Sequence, residues 1–110
     1  MIQVIIEQEP NGLIRAFQME GHADYAEHGK DLVCAGASAV SFGAVNAVLS
    51  LTETEPVIDQ GDDGGYLRVE FPADAGEAGS RTQLIMESMI VSLQTIEQEY
   101  GQYIKITFKQ

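Results

Sequence analysis

The sequence predicts an α+β fold: two layers in ββαββαβ order, a mostly antiparallel sheet with two helices packed on one face. Three observations lead there. Short segments alternate apolar and polar residues, as half-buried strands do when successive side chains point to opposite faces. Two longer segments, Leu32–Leu51 and Thr82–Tyr100, carry helical patterns. A length of 110 residues with 45% hydrophobic and 21% charged content suits one domain over residues 1–110.

In chain order, Met1–Glu9 reads as a strand, with Ile2, Val4 and Ile6 alternating with Gln3 and Glu7. Pro10-Asn11-Gly12 is a turn signal, because Asn-Gly accepts the positive φ of tight hairpins. Leu13–Glu20 returns as the second strand. Gly21–Lys30 lacks periodicity, holds both histidines, and is a loop. Asp31 is placed to cap the following helix by accepting first-turn N–H groups. That helix, Leu32–Leu51, has no charged residue across 20 positions. Its length suits a membrane span. Ser38, Ser41, Asn46 and Ser50, with acidic flanks, argue instead for a helix buried on all sides, and no membrane partner is expected. Ala35, Ala39, Gly43 and Ala47 recur at i+4 as a small-residue stripe on which another backbone can pack closely.

Pro56–Asp59 and Tyr66–Phe71 read as strands joined by a mobile loop, Gln60–Gly65. Ala73–Ser80 reads as a second flexible stretch. Thr82–Tyr100 places Ile85, Met86, Met89, Ile90, Leu93, Ile96 and Tyr100 on one stripe, opposite Glu87, Ser92, Gln94, Glu97 and Gln98. Gly101 ends the helix, and Tyr103–Lys109 closes the sheet.

Charge narrows the function classes. Six Lys+Arg face 17 Asp+Glu, a formal net charge of −11. The basic residues are scattered, whereas a duplex needs a clustered basic face, so direct nucleic-acid binding is not expected. The carboxylate surplus favours basic partners; its cluster at Glu53, Glu55, Asp59, Asp62 and Asp63 is either a solvated edge or a guide for them. Cys34 is the single cysteine, which excludes an intramolecular disulfide and CxxC chemistry. The opening MIQVIIEQEP lacks a basic segment followed by an apolar run, so no secretory signal is expected and a reducing cytoplasm fits the free thiol.

Gly21 to Ser38 carries the chemistry. Counting from Asp31, Cys34 falls in the first turn of a helix, near unpaired N–H groups and the positive end of the macrodipole. Both favour the thiolate, the nucleophilic form, and a neighbouring imidazolium adds to them. First-turn N–H groups, including that of Cys34, are candidate donors for the oxyanion of a tetrahedral intermediate. A carboxylate at Asp31 opposes thiol ionisation unless capping or an imidazolium occupies it. The plain alternative is a small core-filling Cys in an Ala/Val-rich helix. Ser38, one turn past Cys34, either steadies the site or bonds back to the Cys34 carbonyl. His28 is a second candidate base or a solvated loop residue. His22, His28 and Cys34, with Asp24 or Asp31, offer a weak zinc set; no metal or cofactor is expected.

The pattern Gly-His-Ala-x-Tyr-Ala-x-x-Gly-x-Asp-x-Val-Cys-Ala-Gly-x-Ser, from Gly21 to Ser38, resembles the signature of the ribosomal-processing cysteine protease family, Prp. Chain length, element order, Gly64-Gly65 and the run Ser92–Glu97 extend the likeness to essentially the whole chain. The resemblance implies a cysteine endopeptidase with Cys34 as nucleophile and His22 as general base and acid, supported by Asp31, Ser38 and Gly21. It also implies a homodimer with a mobile loop near the site. The implied substrate is a basic large-subunit ribosomal protein precursor, whose N-terminal extension is removed after an aromatic residue. A non-enzymatic acidic ribosome-associated binding or assembly protein, with Cys34 in the core, is the alternative.

Overall fold

Seven elements follow one another in the expected order in the computed structural model, which describes residues 1–27, 30–62, 64–73 and 80–110. They are β1 (Ile2–Gln8), β2 (Ile14–Glu20), α1 (Leu32–Leu51), β3 (Val57–Asp59), β4 (Tyr66–Glu70), α2 (Ser80–Tyr100) and β5 (Ile104–Lys109). The strands form one sheet in the order β3-β4-β2-β1-β5. Every pairing is antiparallel except that of β1 with β5. The first hairpin turns as the sequence predicts. Gly12 takes φ +89°, and the Asn11 side chain accepts the Leu13 N–H at 3.0 Å.

The alternation of each strand decides which face is dry. Ile2, Val4 and Ile6 from β1, Phe17 and Met19 from β2, Leu67 and Val69 from β4, and Ile104 from β5 all point to one side. There they meet Val33, Ala37, Val45 and Val48 of α1 and Met86, Met89, Ile90 and Leu93 of α2 in a single core. The opposite face is polar and centres on Arg68. Its guanidinium donates to Glu7 at 2.6 Å, Glu70 at 2.9 Å and Gln18 at 3.1 Å. The hydrogen bond from Arg68 holds the Glu7 carboxyl below its ordinary value, against the opposing effect of burial.

α1 departs from the expectation of a helix buried all round. Only Val33, Ala37, Ser41, Val45 and Val48 are buried, whereas Leu32, Leu49 and Leu51 are 65%, 50% and 63% exposed. In a two-layer fold each helix shows one stripe to the sheet, and the far side has no third layer to cover it. The small-residue stripe is therefore turned outward: Ala35, Ala39 and Gly43 are exposed and Ala47 is half-buried. The buried Ser41 hydroxyl, at 2.8 Å, donates to the Ala37 carbonyl one turn back.

α2 begins at Ser80, two residues earlier than its periodicity suggests, and its buried stripe is the expected one. Thr82 is fully buried and shares a 2.7 Å hydrogen bond with Thr54. The Gln83 amide pairs with both backbone groups of Ile14, at 2.8 and 2.9 Å, extending β2 by a side chain. Glu97, expected on the solvated side, is half-buried and accepts the Ile106 N–H of the edge strand at 2.9 Å. The expected flexible stretch falls largely on residues 74–79, outside the described residues.

Candidate active site

The sheet runs directly into the site. β2 and β4 end their ladder at the pair Glu20–Tyr66, and the next residues continue it, the Gly21 N–H donating to the Gly65 carbonyl at 2.8 Å. Gly21 has φ +92°, and a Cβ there would lie 2.5 Å from the Met1 carbonyl oxygen. Only glycine satisfies both conditions. His22 follows, solvent-exposed, with its imidazole lying against Gly65.

Asp31 organises the other half. Its backbone is extended at φ −84°, ψ 107°, the geometry of an N-cap. Oδ1 accepts the N–H groups of Val33 and Cys34, each at 3.0 Å. Oδ2 accepts those of Tyr25 at 2.9 Å and Ala26 at 3.3 Å. One carboxylate thus caps the helix and closes the loop that carries His22. Burial pushes the Asp31 carboxyl up; the four backbone N–H groups outweigh it and hold the carboxyl below its ordinary value. Both oxygens are engaged by backbone amides, so the Asp31 charge is spread over four dipoles beside Cys34.

Cys34 is a free thiol, half-buried on the first turn of α1. The Ala23 N–H, one residue past His22, donates to its Sγ at 3.3 Å. This contact joins the two halves, because the residue bearing the imidazole and the residue bearing the sulfur are linked through the next amide along. A donor aimed at sulfur stabilises negative charge on it. Tyr25 anchors the same loop. Its ring meets Tyr100 and Tyr103 edge-on, with centroids 5.5 and 5.1 Å apart, clamping the loop to the end of α2 and the start of β5.

Two expectations change here. The first-turn N–H groups of Val33 and Cys34 are taken by the Asp31 side chain, and that of Ala35 by the Asp31 carbonyl at 3.0 Å. The cap that sets Cys34 in place thus occupies the donors expected to hold an oxyanion. Ser38 is exposed, and among the described residues its hydroxyl bonds neither the Cys34 carbonyl nor a site residue. His28, the second candidate base, and Gly29 lie outside the described residues, as does Asp63 of the acidic cluster; Glu53, Glu55, Asp59 and Asp62 are exposed. The Ala23 amide, the Tyr25 clamp and the Gly65 floor were not singled out by sequence reasoning. The signals present were the Gly64-Gly65 pair at the start of β4 and three tyrosines in distant segments.

The sequence profile of the family described as Cysteine protease Prp matches residues 1–105. The ribosomal processing cysteine protease Prp of Bacillus subtilis is 52% identical over 108 residues, 97% of this chain and 96% of that protein. Its namesake from Staphylococcus aureus is 44% identical over 109 residues, 99% and 100% of the two chains. The crystal structure of the S. aureus Prp with a covalently linked product peptide superposes with a TM-score of 0.94 at 45% identity, covering 99% of this chain and all of that one. The same protease with a substrate peptide gives a TM-score of 0.85 at 43% identity, with the same coverage. With a thiol on a capped helix start and a histidine loop tied to its sulfur, and with relatives matched end to end, this chain belongs to the cysteine protease Prp family.

Proposed function

We propose that this protease removes the N-terminal extension of a large-subunit ribosomal protein precursor, cutting after an aromatic residue, with Cys34 as nucleophile and His22 as general base and acid. The carrying observation is the 3.3 Å hydrogen bond from the Ala23 N–H to Cys34 Sγ, which places the residue after His22 against the sulfur. The Cys34 thiolate attacks the scissile carbonyl carbon, forming a C–S bond and a tetrahedral oxyanion. The His22 imidazolium gives its proton to the amine nitrogen as the C–N bond breaks. Water then adds to the thioester, loses a proton to His22, and releases the carboxylic product and the thiolate.

The ribosomal target rests on the names of the relatives and on charge, since an excess of 17 acidic over 6 basic residues favours a basic substrate. Membership in a protease family sets aside the non-enzymatic binding module. The free thiol fits action in the cytoplasm. A homodimer is the occupant proposed for the outward face of α1, where Ala35, Ala39 and Gly43 permit close backbone approach and Phe42 and Leu49 supply apolar area.

Cleavage of a peptide spanning the extension tests the assignment. Cys34→Ser is expected to abolish it at near wild-type Tm, and His22→Ala to lower kcat by about 10³-fold or more. Cleavage at the wild-type rate in either variant would contradict it.

A further inference from the structure

We propose that Gly65 is the positioning residue for the His22 imidazole, fixing the backbone before it through a main-chain hydrogen bond and seating its ring against a bare Cα. This rests on the reading of His22 as the base. The Gly65 carbonyl accepts the Gly21 N–H at 2.8 Å, which fixes the backbone immediately before His22 to the start of β4. The Gly65 Cα meanwhile forms the surface on which the ring lies. A Cβ at Gly65 would stand 2.8 Å from His22 Nε2, 3.2 Å from Cε1 and 3.5 Å from Cδ2. Contacts below 3.0 Å are not seen for real Cβ atoms, so any side chain at 65 displaces the ring. His22 is exposed and on a loop, and one of the surfaces its ring lies against is a residue that has no side chain.

Gly64 supplies the control that separates this role from an ordinary turn requirement. It has φ +75° against +69° for Gly65, so alanine at either site meets the same left-handed backbone cost. Among the described residues a Cβ at Gly64 meets nothing within 4 Å, whereas one at Gly65 meets the imidazole. The Gly65 carbonyl that bonds Gly21 is main chain and is retained in alanine, so the two substitutions differ in whether the new Cβ meets the ring.

The test compares Gly65→Ala with Gly64→Ala in peptide cleavage. Gly65→Ala is expected to lower kcat about 10–100-fold, as a displaced catalytic group does, with KM within about threefold of wild type. Its kcat/KM profile against pH changes, because moving the ring alters the coupled titration that defines the thiolate–imidazolium pair. Gly64→Ala keeps kcat within about threefold and leaves the pH profile in place. Equal losses in the two variants, or an unchanged pH profile in Gly65→Ala, would overturn the proposal.

A stability cycle covers the case in which Gly65→Ala folds poorly. Deleting the imidazole with His22→Ala vacates the space, so Gly65→Ala in that background is expected to lower Tm no more than Gly64→Ala does. A Tm loss in that background larger than that of Gly64→Ala would also overturn it. The His22→Ala single variant distinguishes the two readings: retained cleavage there defeats His22 as the base, while the cycle still reports whether Gly65 and the ring are in contact.

Discussion

Asp31 accepts four backbone N–H groups on one carboxylate, two from the start of α1 and two from the loop after His22. Substitution separates these tasks. Asp31→Asn keeps an oxygen for the Val33 and Cys34 amides but turns an NH2 toward those of Tyr25 and Ala26. The helix start survives and the loop is released. Cleavage is expected to fall about 10–100-fold while Tm drops by a few degrees; a wild-type rate would show that loop closure does not matter. The pH dependence follows from the lowered carboxyl. Asp31 binds its proton less readily in the folded chain than in the unfolded one. Its contribution to stability is therefore present above the ordinary value of 3.8 and lost as pH falls through the folded value. The Tm difference between wild type and Asp31→Asn should narrow below that pH in thermal melts.

Among the elements, α1 carries two functions on opposite sides. Its inner stripe joins the core, its first turn presents Cys34, and its outer stripe of small and apolar residues faces away from the sheet. Gly43 tests the outer stripe, because among the described residues a Cβ there meets nothing within 4 Å. Gly43→Arg is expected to fold and cleave less, and to sediment as a single chain at concentrations where the wild type is a pair. Pairing of both proteins would contradict a dimer through this face, and pairing of neither would contradict the dimer itself. The strands, both helices and the Asp31 cap were legible because each is written in local periodicity or spacing. The extent of α1 burial was not, since composition says that a helix is apolar and leaves open which neighbours exist to cover it. The Gln83–Ile14 and Glu97–Ile106 bonds were equally illegible, as polar side chains on a helix surface carry no mark of the strand they will meet.

At the scale of the whole molecule, the sheet register sets where the imidazole loop leaves β2, the capped helix sets where the sulfur sits, and the tyrosine clamp ties the loop between them. His22, Asp31 and Cys34 were legible as a motif. Their support from Gly65, Ala23 and Tyr25 was not, because it arises from segments distant in sequence or from the backbone alone. The surplus of acidic residues adds a long-range field that favours basic substrates and weakens as salt rises. In the proposed mechanism all of this serves one chemical event, bond formation between Cys34 Sγ and a peptide carbonyl carbon. Acid-quenched reactions with an activated peptide ester, read by intact mass and peptide mapping, test it most directly. The account predicts one acyl group per chain, on Cys34, absent in Cys34→Ser and slower to form in His22→Ala; continued cleavage with no adduct on Cys34 would contradict it.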